Sequence, residues 1–361
     1  MLLTIDTEFC VGGAFQFPEA HEPIGAQNVL CTVAGKSEGL GFLLNEFKRH
    51  NFRATFFIEA LQVAAFSDSP MREIVSLIAA QGHDMQLHLH PAWSYFENKD
   101  WKNQLRSEEP TDNLHGRSVS QLVSWMERGM DAFARWGLAP PIALRAGNHM
   151  VDRNVYRAMR KVGLGVASNV ARGLFEPSEV ALRVNSGNHR IEGVLEIPVL
   201  SYSSINAPFR SRLKSLTIAG TSVEEMTYLL ETARATGVDT VCLATHCHEF
   251  VKGDKRTNLI LNRLTQRRLQ FLCRYLRDHN DRFEVTTISE LSALAPQANP
   301  IKQEPIHVPA KLAILRMLEN TLFGMHLKPA HWRKARAHHS YLGCLATLYT
   351  LLEPLQWLWM A

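Results

Sequence analysis

The sequence predicts an α/β protein built as a distorted (β/α) barrel of seven or eight mostly parallel strands, with a C-terminal helical appendage. Three observations lead there. Strand-like and helix-like segments alternate through most of the chain. Seven or eight strands over about 290 residues suit a closed or distorted barrel better than a small open sheet. Four of the apolar runs also end in a chemically capable side chain, as strands do at the site-bearing face of α/β folds.

In chain order, Leu2-Leu3-Thr4-Ile5 is a strand-like run that delivers Asp6-Thr7-Glu8. Leu40, Leu43, Leu44 and Phe47 follow helical spacing. Phe52 to Glu59 is β-branched and aromatic, as a buried strand should be. Met85 and Leu87 lead to His88-Leu89-His90, and Leu122, Trp125, Met126, Met130 and Phe133 mark the next helix. Ile142 to Gly147 is a third strand-like run ending in Arg145, with Gly163 to Ser168 and Val194 to Val199 as further strands. A helix carries Val223, Met226, Leu229, Leu230 and Ala233; Val241 to His246 is the next strand and Phe283 to Ile288 the last. Residues 1–293 are therefore read as the barrel. Residues 294–310, with Pro296, Pro300, Pro305 and Pro309, read as a linker.

Residues 311–361 are of another kind. Leu312, Leu315, Leu318 and Leu322 suit an amphipathic helix, and Lys328, Arg333, Lys334 and Arg336 form a basic cluster around Trp332. An apolar end containing Trp357 and Trp359 follows, interrupted by Glu353 and Pro354, which argues against a simple membrane span. Two readings of 325–361 stay open: peripheral contact with an anionic membrane, or packing on the barrel or a second subunit. Oligomeric state is left open with them.

Hydrophobic residues at 46% and charged ones at 20% describe an ordinary globular chain with a full core. The net charge of +4 over 361 residues gives no indication of nucleic acid. Six cysteines without a C-x-x-C pair favour a reducing compartment. The first strand starts at residue 2, leaving no room for a secretory leader, so the expected location is cytoplasmic, with the inner membrane face open through the tail.

Residues i and i+2 of a strand project from one face. Asp6 with Glu8, and His88 with His90, can therefore each face one centre. Two carboxylates and two imidazoles make a site for a borderline divalent metal, zinc being the first candidate.

These positions resemble the motifs of the polysaccharide deacetylase superfamily, the NodB-homology fold, over residues 1 to about 293. Thr4-Ile5-Asp6-Thr7-Glu8 is similar to its first motif, Ala54-Thr55-Phe56-Phe57 to its Ala-Thr-Phe-Phe strand, and Gly82-His83-Asp84 to the lead into its histidine motif. Arg145-Ala146-Gly147 matches the arginine motif, and Glu196-Ile197-Pro198-Val199 the fourth motif of glycan-biosynthesis branches. His246, with Glu249 and Phe250, falls on the general-acid motif, and Phe283 to Leu291 on the last strand and helix start. Two departures stand out. The usual adjacent Asp pair is Asp6-x-Glu8, and the usual His-x-x-x-His is His88-x-His90, with Ala92 in the second histidine's place. A divergent subgroup from surface-polysaccharide loci has a similar His-Leu-His-Pro pattern, so a relocated ligand is expected.

The resemblance implies a metal-dependent hydrolase that removes an N-acetyl group from a sugar of a surface glycan or its lipid- or nucleotide-linked precursor. It implies Glu8, His88 and His90 as metal ligands, Asp6 as general base, Arg145 as that carboxylate's partner and His246 as the acid for the leaving amine. Which of Asp6 and Glu8 touches the ion stays open. Trp93, Tyr95 and Asn148 are assigned to the sugar, the two aromatics by stacking, with core packing the equal alternative for both. His83 is expected to cap or pack beside the third strand, His149 and His248 to stand behind the ligands, and His338 and His339 to be solvated. Hydrolysis of a small cyclic amide, or a degenerate barrel acting as a membrane-surface partner, are the other readings.

Overall fold

The computed structural model describes residues 1–105, 107, 110–206, 210–294 and 304–324. The chain divides into a compact unit, Met1–Arg316, and a second, Met317–Ala361, of which only residues 317–324, the end of a helix, are described.

Eight strands form one sheet: β1 (Leu2–Thr7), β2 (Thr55–Glu59), β3 (Asp84–Leu89), β4 (Ala143–Ala146), β5 (Val166–Ala167), β6 (His189–Ile191), β7 (Val194–Glu196) and β8 (Cys242–His246). Their order is β8-β1-β2-β3-β4-β5-β7-β6, and every pair is parallel except β6 with β7. Isolated parallel bridges, Val199 to Cys242 and Thr217 to Ala244, draw the chain beyond β7 back to β8, so the sheet curls into a distorted barrel. Helices α1 (Leu40–His50), α2 (Ser69–Ala79), α3 (Val119–Arg135) and α4 (Arg153–Val162) cross between the first five strands in turn. Helix α5 (Val223–Ala235) precedes β8, and α6 (Arg263–Asp278) and α7 (Ile288–Ala293) follow it.

The alternation along each strand separates two cores. Leu3, Ile5, Phe56, Ile58, Leu87, Leu89 and Leu144 pack outward with the helices, in the larger cluster. Leu2, Phe57, Ala143, Val166, Leu195 and Ala244 fill the inside. The same parity carries Asp6, Glu59, His88, Arg145 and His246 inward at the strands' carboxyl ends.

Several expected strands are shorter than their apolar runs. Gly163 to Ser168 contributes only Val166–Ala167, and Val194 to Val199 ends at Glu196, two residues before Pro198, which has no N–H to donate. Phe283 to Ile288 yields a single bridge, Leu2 to Thr286, because Thr287 caps α7 in a reciprocal pair with Glu290 and turns the chain into helix.

The stretch read as a linker is only partly one. Residues 295–303 lie outside the described residues, but Ile306–His307 pairs in parallel with Ser201–Asn206, which is itself paired antiparallel with Arg210–Ser215. Val308 is fully buried, and Arg316 reaches the buried Glu225 at 2.9 Å, which fastens the start of the final helix, Ala310–Gly324. The first compact unit runs on through this segment to Arg316. The basic cluster and apolar end at 325–361 lie outside the described residues. Among the described residues, no helix is long and apolar enough to cross a membrane.

Candidate metal centre

The site is assembled at the carboxyl ends of β1, β3, β4 and β8. Glu8 lies just past β1, and its Oε2 stands 3.3 Å from His88 Nε2 and 2.8 Å from His90 Nε2. One donor atom from each of Glu8, His88 and His90 lies within 4.8 Å of the others. Two donors on a tetrahedral zinc, each about 2.1 Å from it, stand roughly 3.4 Å apart, so the set fits an ion of that size. Both rings are also aimed. His88 Nδ1 faces the carbonyl oxygen of Arg145 at 2.9 Å, and His90 Nδ1 faces Asp112 Oδ2 at 2.6 Å. Acceptors on both Nδ1 atoms turn both Nε2 atoms to the same point, the usual arrangement around a histidine-bound metal.

Asp6 is excluded from that group and lies beside it. Its Oδ1 accepts from Arg145 Nη1 at 2.8 Å, and both side chains are almost wholly buried. Arg145 is held on every side: Nε donates to Ser168 O, Nη2 to Ser168 Oγ, and the guanidinium lies 4.2 Å from the Phe57 ring centre. Burial alone would favour a neutral Asp6, but the positive charges around it, Arg145 foremost, bring its pKa down to about 2. Glu8 is held well below the usual carboxylate range for a similar reason: burial opposes ionisation, and His90 and His88 outweigh it. The structure thus gives the two carboxylates different neighbours, the histidine pair for Glu8 and Arg145 for Asp6.

His246 faces both from β8, its Nε2 3.7 Å from Asp6 Oδ2 and 3.7 Å from Glu8 Oε1. Its Nδ1 is 3.1 Å from Glu249 Oε1, and Glu249 Oε2 accepts from Thr245 Oγ1. Burial disfavours a charged ring here, yet Glu249, Asp6 and Glu8 together raise its pKa to about 9.

The other sequence-assigned residues divide. Trp93 is 2% exposed and packs on Phe66 and Phe96, which is the core-packing alternative rather than the sugar platform. Tyr95 contacts Phe15 and lines a shallow cleft of about 240 Å³ with Pro91, Ser94, Arg117, Gln121 and Trp125. Pro91, the residue after His90 in the chain, is part of this lining, and the side chains of the centre are not. Asn148 is exposed and donates from Nδ2 to Asp112. His83 is buried behind β2 and β3, accepting from Ala54 N–H. His149 is buried with Nδ1 on Asn169 O, and burial lowers its pKa to about 3. His248 packs against the His246 ring, and burial lowers it to about 4. Glu196 accepts from Tyr156 and from the Asn169 and Val170 N–H groups, while Asn169 Oδ1 accepts from Ala146 N–H. It braces the end of β4 from behind.

Sequence reasoning missed three contributors. Asp112 and Ser168 sit where no periodic pattern points at them. Glu59, level with His88 across the β2–β3 pairing, did carry the right strand parity. Its Oε1 accepts from Leu61 N–H, and burial pushes its carboxyl well above the usual range.

No family model matches the chain, and no curated protein matches it in sequence. Solved structures do resemble it. One, from Mycobacterium smegmatis and provisionally named a polysaccharide deacetylase, is 15% identical over 84% of this chain and 95% of its own, with a TM-score of 0.47. A family 4 acetyl xylan esterase from Clostridium thermocellum, solved with a cobalt ion, is 16% identical over 85% and 98%, at 0.40. A CE4 family pseudoenzyme from Bacillus anthracis is 10% identical over 85% and 69%, at 0.42.

Proposed function

We propose that the protein is a metal-dependent hydrolase that removes the acetyl group from an N-acetylated sugar. One observation carries this reading: Glu8, His88 and His90 converge as a donor set while Asp6–Arg145 and His246–Glu249 flank it. Glu8, His88 and His90 would hold the ion, zinc being favoured by two imidazoles and one carboxylate. Bound there, it would supply an acidified water and polarise the acetyl carbonyl.

The chain's own groups then divide the proton work. Asp6, at about 2, is ionised at any working pH and accepts the proton of the attacking water through the oxygen that Arg145 leaves free. Arg145 fixes the orientation of that carboxylate. His246, at about 9, is protonated at neutral pH and donates from Nε2 to the departing amine as the C–N bond breaks. Glu249 holds the opposite edge of its ring. The products are acetate and the free amino sugar. The cleft lined by Pro91 and Tyr95 would take up part of the glycan. We extend the reading to a surface glycan or its lipid- or nucleotide-linked precursor, which the basic and Trp-containing tail at 325–361 supports as a means of meeting a membrane.

The test is acetate release by the full chain from N-acetylhexosamine oligosaccharides, with and without added zinc, cobalt or manganese. Ion-dependent acetate release supports the reading. Turnover of cyclic amides in its place, or no uptake of any ion, overturns it.

A further inference from the structure

We propose that Asp112 is a positioning residue for the metal centre, fixing the His90 ring so that Nε2 faces the ion; this rests on the reading of Glu8, His88 and His90 as ligands. The sequence gives no hint of it, since Asp112 sits in the connection between β3 and α3, 22 residues beyond His90.

Three contacts converge on this carboxylate, and a fourth reaches the same residue's backbone carbonyl. His90 Nδ1 lies 2.6 Å from Oδ2, Asn148 Nδ2 donates to Oδ2 at 3.0 Å, and Ala92 N–H donates to Oδ1 at 3.1 Å. Asn148 Nδ2 also donates to the Asp112 carbonyl at 3.1 Å. Both side-chain oxygens thus receive donors, a demand that a carboxylate meets and an amide of the same shape does not. With Nδ1 donating to Asp112, the neutral ring keeps the lone pair of Nε2 for the centre.

The other face of the ring is fixed as well. A Cβ on Gly147 would lie 2.5 Å from His90 Nδ1, so the ring occupies the space that a glycine leaves. The two residues after it, Asn148 and His149, take φ of 55° and 56°, a conformation that side-chain-bearing residues adopt only under constraint. The segment is tied back to the Asp112 loop: His115 N–H donates to Met150 O at 2.9 Å, and Gly116 N–H to Asp152 Oδ2 at 2.8 Å. His90 is held between two segments that are laced together, and Asp112 is the polar half of that grip.

The experiment measures ion affinity by chelator competition for the wild-type chain, Asp112→Asn and Asp112→Ala, well below each variant's melting temperature. Asp112→Asn keeps the shape and guards against a variant that fails to fold. Both should bind zinc about 10–100-fold more weakly, the usual cost of losing a group behind a ligating histidine. Saturating zinc should restore most of kcat, and the imidazole 15N shifts of His90 should move toward the other tautomer in Asp112→Asn. Unchanged affinity in a folded variant overturns the inference and leaves the metal reading intact. A wild-type chain that binds no ion overturns both.

Discussion

The ends of β3 and β8 carry the same local device and use it differently. Each strand delivers an imidazole at its carboxyl end, and each of His90 and His246 has a carboxylate at Nδ1: Asp112 for one, Glu249 for the other. What differs is the far edge of the ring. His90 Nε2 meets Glu8 at 2.8 Å with His88 on the same oxygen, whereas His246 Nε2 stands 3.7 Å from either carboxylate. Enclosure differs too. The His88 side chain is 2% exposed and His90 15%, while His246 is 31% exposed and reachable by a substrate. A strand-end histidine backed by an acid is therefore not yet a role. On the proposed reading, a converging second ring makes it a ligand, and an open Nε2 with acids at a distance makes it a proton donor.

The largest expected effect tests the ligand side. His88→Ala and His90→Ala should each weaken zinc binding by more than about a hundredfold, beyond the range for groups behind a ligand, read by chelator competition. Wild-type affinity in either would erase the distinction between the two strand ends. Next, Asp6→Asn should lower kcat by about 10²–10⁴ while leaving zinc content unchanged. Loss of the ion in that variant would move Asp6 into the ligand set.

The proton-donor side is sharpened by pH. As the proposed donor, His246 acts when protonated, and its pKa is raised to about 9, so activity should persist through neutral pH and fall as pH rises through that value. Removing an acid that stabilises the charged ring lowers its pKa, so Glu249→Gln should shift the alkaline limb toward neutrality in a kcat/KM profile. An unmoved limb would take His246 out of the donor role. A smaller effect on catalysis is expected at Trp93. Trp93→Ala should cost about 3–5 kcal/mol of stability, as a core truncation, with little change in KM; thermal unfolding and kinetics together separate this from a sugar contact.

Much of this site was legible in the sequence because strand parity is a local property. Leu2 to Ile5 fixes which way Asp6 points, and the same count places His88 with His90, Arg145 and His246 on one face. The helices at Leu40, Leu122 and Val223 were legible for the same reason, from apolar spacing. Apart from Glu59, which carries the strand parity, the missed parts have no such period. Asp112 enters from a loop, Ser168 from just past a two-residue strand, and Ile306–Val308 from a proline-rich stretch whose polar flanks hide a buried edge. For Trp93 the sequence leaves a sugar contact and core packing open, and the 3₁₀ helix Pro91–Glu97, about two turns long, swings it into the core.

By itself the sequence determined the alternating architecture, the inward face of each strand and the chemical types gathered at one end of the barrel. These follow from side-chain periodicity along a few residues. Only the tertiary structure decided which groups meet: that Arg145 sits on Asp6 and the histidine pair on Glu8, and that His90 is gripped by Asp112 while His246 is left open. Those pairings join residues separated by up to 139 positions in the chain, and they depend on strand order and sheet curvature, quantities that no local pattern encodes.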